Sequence, residues 1–230
     1  MAETVLITGA NRGIGLELAR AYAARGDRVI ATARRPGDAA ALDMLARSRA
    51  DVTIRGLDVT APGELDALAA EERGCIDLVV CNAGTFVARG GIDDPEYTAE
   101  AWQTVLTTNV AGPFFTVRAF LAHLGRSQRP RVAIVSSIMG STARAPGRAY
   151  IYRASKAAAT NLARNLAEDL RPRGIAVGAY HPGWVQTDMG GGGADITPEE
   201  SAAGLVARFD ALSMATTGVF EDHRGEAIPF

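Results

Sequence analysis

Short apolar runs alternate along this chain with longer segments of helical periodicity, and that alternation leaves few folds open. The runs cover 4–8, 28–33, 51–57, 76–81, 131–136 and 175–180; the helical segments cover 14–25, 39–49, 62–72, 99–124 and 153–170. Runs this short and β-rich, without polar alternation, read as strands covered on both faces. Helices between consecutive strands supply right-handed crossovers that return each strand in the same direction, which calls for a parallel sheet with helices on both faces. The expected class is therefore α/β and doubly wound. A chain of 230 residues suits one such domain, expected over 1–230. Residues 216–221 read as a last strand, whereas 183–194 is too glycine-rich for a regular element. The consecutive glycines at 190–193 lose the most entropy on ordering, so a substrate loop at about 183–200, mobile without ligand, is expected.

The first strand runs into Thr8-Gly9-Ala10-Asn11-Arg12-Gly13-Ile14-Gly15 and then a helix. Glycines at such a turn let the backbone approach a pyrophosphate, which the free N–H groups and dipole of the helix N-terminus stabilise. The spacing is Gly-x-x-x-Gly-x-Gly rather than Gly-x-Gly-x-x-Gly, and taken alone such a turn also fits a purely structural role. The end of the second strand discriminates between dinucleotides. In an NAD enzyme an acid about 20 residues beyond the glycines holds the adenosine ribose 2′-hydroxyl. Here the strand ends Ala31-Thr32-Ala33-Arg34-Arg35, without that acid, and Arg12 adds a cation inside the turn. Guanidinium groups pair well with phosphate, so NADP(H) is favoured over NAD(H). The alternative for Arg34 and Arg35 is a solvated surface pair.

A formal charge of -2 gives no reason to expect a nucleic-acid or polyanion partner. Cys75 and Cys81 have neither metal-ligand spacing nor a disulfide framework, which suits a reducing compartment; both are expected to be buried, inert thiols, and no metal is expected. The start "MAETVLITGANRG" lacks the basic first segment and long apolar core of a signal peptide. No run reads as the ~20 apolar residues that span a bilayer. A cytoplasmic protein without a membrane partner is expected.

Further motifs follow the glycine turn: "NAG" at Asn82-Ala83-Gly84, Asn109 in "TNVAGP", Ser137 in "VSSIMG", and Tyr152-x-x-x-Lys156. Together with "TGANRGIG" they resemble the short-chain dehydrogenase/reductases, in order and spacing, over nearly the whole chain. "YRASKAA", "HPGWVQTDMGG" and "FEDHRGEAIPF" are most similar to the C-factor-type (C-signal-like) branch, whose members are linked to signalling as well as to reductase chemistry. The resemblance implies a Rossmann fold with a seven-stranded parallel sheet in the order 3-2-1-4-5-6-7. It also implies a homodimer or homotetramer that pairs helices 99–124 and 153–170, where Ala157, Ala158, Ala159 and Ala163 would allow close approach or face the sheet. Cofactor contacts are implied at Gly9, Asn11, Arg12, Gly13, Ile14 and Gly15, and at Arg34. Asp58 matches a position that contacts adenine, with Val59 beside it; a turn or capping aspartate is the alternative. Asn82, Ala83 and Gly84 would support the sheet centre and approach the cofactor, while Pro182, Gly183, Val185 and Thr187 would face the nicotinamide. His181 stands where relatives often have asparagine and reads as structural.

Carbonyl reduction needs a hydride delivered to carbon and a proton delivered to oxygen. A tyrosine can supply the proton, and a nearby ammonium lowers its pKa from about 10. The stretch Tyr150-Ile151-Tyr152-Arg153-Ala154-Ser155-Lys156 holds two candidates. On a helix, residues four apart share a face, whereas residues six apart sit about 120° apart. Spacing therefore selects Tyr152 over Tyr150. The resemblance implies that Tyr152 is the acid/base and that Lys156 lowers its pKa and bonds the nicotinamide ribose. It further implies that Ser137 orients the substrate oxygen and Asn109 holds a water in a relay to Lys156. Ser136 competes with Ser137; the pattern Ser-x-x-Gly, matched by Ser137-Ile138-Met139-Gly140, favours the latter, and either serine could be a strand-end hydroxyl bonded to backbone. Phe86, Met139, Trp184 and Met189 near Gly190 are candidate pocket residues or core. As pocket they point to a small neutral aldehyde or ketone, whereas Arg144 or Arg148 could meet an anion. The expected function is NADPH-dependent, reversible carbonyl reduction. The alternative is a cofactor-binding signalling protein of C-factor type with incidental reductase activity.

Overall fold

Seven strands, β1 (Thr4–Ile7), β2 (Arg28–Ala33), β3 (Val52–Gly56), β4 (Leu78–Cys81), β5 (Arg131–Val135), β6 (Ala176–His181) and β7 (Phe220–Asp222), pair in parallel in one sheet. Their order is β3-β2-β1-β4-β5-β6-β7, as the resemblance implies. The computed structural model describes residues 2–230. At the centre, Val5 of β1 sits between Val29 of β2 and Leu78 of β4, so β1 ends beside β4. The ends of β1 and β4 are where the crossover direction reverses, and such a switch point is where open α/β sheets bind ligands.

Successive strand residues point to opposite faces, which divides the apolar runs between two cores. Leu6, Ile30, Val79, Val132 and Val177 meet α3 (Pro62–Glu71), α5 (Gly112–Leu124) and α6 (Tyr150–Asp169) through Leu65, Phe120 and Ala163. Val5, Ile7, Val29, Leu78 and Val80 meet α1 (Gly13–Ala24), α2 (Ala40–Ser48) and α7 (Pro198–Ala211) through Leu18, Leu42 and Phe209. Ala159 and Ala163 of α6 are buried against the first core, which takes those two of the four alanines for the sheet.

The structure departs from the sequence expectation at several elements. Helix α7 was not anticipated, although Thr197-Pro198-Glu199-Glu200 carries its start signal. The Thr197 hydroxyl accepts from the Glu200 amide, the Glu200 carboxylate accepts from the Thr197 amide, and Pro198 occupies the first turn. Helix α6 starts at Tyr150 rather than 153, after a left-handed Ala149 with φ 48. The last strand, Phe220–Asp222, lies at the C-terminal end of its expected range and runs past it. The expected helix 99–124 divides into α4 (Ala99–Leu106), a π turn (Thr107–Ala111) and α5. These 26 residues are long and apolar enough, by length and composition alone, to cross a membrane, contrary to the sequence reading; here Val117, Phe120 and Leu124 pack into the first core. Cys81 is buried and its thiol is pushed up to about 12 by burial, but Cys75 is only half-buried, contrary to expectation. Among the described residues no cluster of His, Cys, Asp or Glu is arranged to hold a metal ion.

Tyr22 and Tyr180 lie fully inside the second core, their hydroxyls without a hydrogen-bond partner among the described residues, and burial raises both pKa values. Tyr152 is pushed up to about 12, also chiefly by burial. A phenol with a higher pKa folded than unfolded contributes stability that is present below about pH 10 and lost as pH rises through the folded value. In an alkaline titration Tyr22 and Tyr180, two of the five tyrosines, should therefore ionise only with unfolding. Phenolate absorbance that rises for all five while circular dichroism stays native would contradict this.

Candidate active site

The glycine turn is fastened to the end of β4 by Asn82. Its Nδ2 donates to the carbonyls of Thr8 (2.9 Å) and Gly9 (3.0 Å), while the Thr8 hydroxyl accepts from the amides of Asn82 (3.0 Å) and Ala83 (3.1 Å). A Cβ at Gly15 would lie 2.3 Å from the Gly9 carbonyl oxygen and 2.5 Å from Asn82 Nδ2, so only glycine fits. Gly13 has φ +53 and faces Thr187, whose Cγ2 would lie 3.1 Å from an added Cβ. Ile14 packs back onto the second core, and Asn11 and Arg12 stay on the rim. This leaves the first turn of α1 with its free amides beside a backbone bare of side chains, the form that receives a pyrophosphate.

Around this turn the expected cofactor residues separate. Arg34 and Arg35 are exposed at the end of β2; Arg35 lies 3.7 Å from Asp38, and Arg34 has no acid partner among the described residues. Arg12, expected to add a cation for the phosphate, is instead 2.6 Å from Asp188 on the loop after β6. Asp58 Oδ1 accepts from the amide (2.8 Å) and hydroxyl (2.7 Å) of Thr60, the turn role that was the alternative for it. The Val59 side chain is buried, and its Cγ2 would lie 3.0 Å from a Cβ at Gly112.

The four expected catalytic residues come from three places in the chain. Ser137 follows β5 and caps a 3-10 turn (Ile138–Gly140) by accepting from the Met139 amide at 3.1 Å. Ser136 is committed elsewhere: its hydroxyl bonds the Lys156 carbonyl (3.1 Å) and the Thr160 hydroxyl (2.6 Å), which leaves Ser137 as the serine of the site. Tyr152 and Lys156 lie one turn apart on α6, both buried, with Lys156 Nζ 5.6 Å from the Tyr152 ring centroid. Tyr150, on another face of α6, is exposed and meets Tyr97 edge-on beside Trp102 and Ile92, in a groove of about 470 Å³. Asn109 occupies the π turn, buried. Its Nδ2 donates to the Thr85 carbonyl and the Ser155 hydroxyl, both at 2.9 Å, and its Oδ1 accepts from the Thr85 amide at 2.8 Å. Both Nδ2 hydrogens and one lone pair of Oδ1 are thus engaged with protein groups. Gly84 completes the cluster: a Cβ there would lie 3.3 Å from Asn109 Oδ1 and 3.7 Å from Lys156 Nζ.

Burial sets the protonation of this cluster. It lowers Lys156 to about 8, and the ammonium donates to the Val135 carbonyl at 2.7 Å. Tyr152 moves against expectation: burial raises it to about 12, outweighing the neighbouring Ser137 hydroxyl and the Arg89 guanidinium, which act the other way. Phe86 is one of the side chains that bury it, stacked on the Tyr152 ring with centroids 4.0 Å apart. A phenol held this way is protonated at neutral pH, the state that can give a proton to a carbonyl oxygen. His181 is lowered to about 4, chiefly by burial, and stays neutral at physiological pH, in keeping with a structural part.

The loop after β6 reaches the glycine turn through Thr187 and Asp188 and the β4–α4 connection through Met189. Ser201 of α7 donates to the Pro182 carbonyl at 2.6 Å, and Gly183 (φ +90) abuts His223 and Ile196. Val185 is buried and bridges Ile196, and Thr187 Oγ1 accepts from the Gly190 amide at 3.1 Å. Trp184 is exposed, its indole N–H donating to the Gly190 carbonyl at 2.9 Å.

A glycine turn at the switch point of a parallel sheet, with a Tyr-x-x-x-Lys pair and a serine on the adjoining elements, matches one family in sequence. The profile of the short chain dehydrogenases covers residues 3–195. The chain belongs to that family. This short-chain dehydrogenase is an oxidoreductase acting on carbonyl or alcohol groups. It is similar to C-signal of Myxococcus xanthus, at 38% identity over 68% of this chain and 94% of that protein. It is also similar to 1-hydroxy-2-glutathionyl-2-methyl-3-butene dehydrogenase of Rhodococcus sp. (strain AD45), at 34% identity over 96% of this chain and 97% of that one. Among solved structures, NADPH-bound carbonyl reductase from chicken fatty liver superposes with a TM-score of 0.93 at 33% identity, over 100% of this chain and 99% of that one.

Proposed function

We propose that this short-chain dehydrogenase reduces a small neutral aldehyde or ketone with NADPH, reversibly, and that Tyr152 gives the proton. The observation that carries the reading is the convergence of Ser137, Tyr152, Lys156 and the backbone of Gly84 at the ends of β4 and β5, beside the turn that Gly15 lets pack against Asn82. The free amides at the start of α1 suit a dinucleotide pyrophosphate, and the Lys156 ammonium beside Gly84 suits a ribose hydroxyl. When bound, the cofactor supplies the hydride. The chain supplies the rest: Ser137 Oγ donates to the carbonyl oxygen, and that oxygen takes the Tyr152 proton as it gains charge. The Lys156 ammonium, held by Val135, favours the phenolate left behind.

The phosphate preference rests on Arg34, the cation at the end of β2 with no acid beside it among the described residues. NADPH should bind at least about 10-fold more tightly than NADH by titration calorimetry, since a charged hydrogen bond contributes about 1.5–3 kcal/mol. Arg34→Ala should remove most of that difference and leave NADH affinity unchanged. Equal affinities in the parent protein would sink the preference.

The outer face of α4 and α5 supports self-association, since Leu106 and Phe114 are exposed on it and Tyr150 and Ile92 lie beside Trp102. We read it as a homodimer face. A second reading, a regulatory role in which catalysis is incidental, is favoured by the similarity to C-signal. Turnover of a panel including benzaldehyde and cyclohexanone with NADPH tests the first reading; cofactor bound with no turnover anywhere would favour the second.

A further inference from the structure

The loop between β4 and α4 stacks two side chains outward from Tyr152 that the reaction as described does not use. The Phe86 ring lies 4.0 Å from the Tyr152 ring with 11° between planes, and the Arg89 guanidinium lies 4.2 Å from the Phe86 centroid. One face of Phe86 is taken by Tyr152, so the guanidinium occupies the other. Arg89 also donates to the Met189 carbonyl on the loop after β6. The result is a three-layer stack, guanidinium on phenyl on phenol, anchored at its outer end to the loop that covers the site.

The backbone carrying the stack is strained and held. Ala88 has φ 58, a conformation that side chains other than glycine rarely adopt. Its amide donates to Glu96 (3.2 Å), and the Gly90 amide donates to Asp94 (2.8 Å). The Gly90 carbonyl accepts from the Tyr97 hydroxyl (2.8 Å) and from the Ala149 amide (3.0 Å) immediately before α6. The same loop is therefore fixed to the helix that carries Tyr152. Strain maintained by its surroundings is concentrated where geometry matters to function.

We propose that Phe86 and Arg89 are positioning residues: the pair fixes the ring of Tyr152 in one orientation and joins it to the covering loop at Met189. This rests on the reading of Tyr152 as proton donor. A proton donor must come within about 2.6–3.2 Å of the accepting oxygen, and a misplacement of about 1 Å can slow the reaction on the order of 100-fold. The polar and charged groups around the Tyr152 phenol are Ser137 from the end of β5, Arg89 beyond Phe86 on this loop and Lys156 on its own helix. Phe86 covers the phenol and opposes its ionisation, whereas the Arg89 charge favours ionisation. The two members of the stack thus act on the proton in opposite senses.

The test measures benzaldehyde reduction with NADPH and benzyl alcohol oxidation with NADP⁺, across pH, for Phe86→Ala, Phe86→Leu, Phe86→Tyr and Arg89→Met. Phe86→Ala should lower kcat about 10-fold or more while the KM for NADPH stays within about threefold. The rising limb of the oxidation profile, where the phenol ionises to the base that oxidation needs, should move to lower pH by roughly one unit as water reaches the phenol. Arg89→Met keeps an apolar cover but removes the charge, and its limb should move to higher pH. Phe86→Tyr retains the stack and should restore parental kcat. If Phe86→Ala does not fold, Phe86→Leu, which fills the site without stacking, reads the same loss. Parental kcat and limb in Phe86→Ala and Phe86→Leu, or an Arg89→Met limb that moves to lower pH, overturns the proposal. A Tyr152→Phe variant with parental turnover would remove the underlying reading instead, and so separates the two failures.

Discussion

Tyr152→Phe should lower kcat for carbonyl reduction about 10³-fold, the span of general acid catalysis, while NADPH binds within a few-fold of the parent. The substitution removes one oxygen and keeps the ring. The stack on Phe86 at 4.0 Å survives, the side chain remains buried, and the hydroxyl that burial holds protonated to about pH 12 is gone. Little stability should be lost, because the phenol gives way to a hydrocarbon of the same shape. A melting temperature at or above the parent's with activity absent would separate chemistry from folding. A kcat reduced less than about 10-fold would mean that the proton comes from another group. The same variant placed in cells tests the regulatory reading, which requires the phenotype to survive loss of turnover.

Gly15→Ala should be among the most damaging single methyl additions in the chain. Its Cβ would enter the space between the Gly9 carbonyl oxygen, 2.3 Å away, and Asn82 Nδ2, 2.5 Å away, the two atoms that bond each other at 3.0 Å. Backbone lies on one side and a buried amide on the other, so the turn has to move or the bond has to break. An unmade buried hydrogen bond costs about 1–3 kcal/mol and overpacking about as much again. At about 2–4 °C per kcal/mol for a chain of this size, the melting temperature should fall by roughly 5–15 °C. NADPH affinity should fall on the order of 100-fold, because the displaced groups are those aligned on the pyrophosphate. Parental melting and affinity would show that the turn has slack that the packing of Gly15 denies.

Much of the fold was legible in sequence because its strands are buried on both faces and therefore read as unbroken apolar runs. Their order in the sheet is not written in those runs and came through resemblance. The missed helix α7 follows a long glycine-rich loop, and its capping signal at Thr197 and Glu200 was legible but passed over. Within the site, the spacing of Tyr152 and Lys156 identified the pair, because helical geometry is local. The direction of the tyrosine shift was not legible, since burial sets it and the covering side chains, Phe86 among them, reach Tyr152 only through tertiary packing. Arg12 shows the same limit: a cation beside a phosphate site in sequence meets Asp188, 176 residues away. Contacts between loops at the ends of different strands leave no periodic trace.

The π turn at Thr107–Ala111 makes the length of one helix a matter of chemistry. A π turn accommodates one residue more than the regular ladder, and each residue of an α-helix advances the facing direction by about 100°. Losing any one residue from this turn would let the ladder close into an uninterrupted helix, fully hydrogen-bonded and still apolar. That shorter helix would carry Asn109 away from Thr85 and Ser155, or rotate Phe120 and Leu124 off the sheet. Side chains along its outer face can be exchanged in many ways, but the count of residues between Val105 and Phe120 is held constant by two anchors at once.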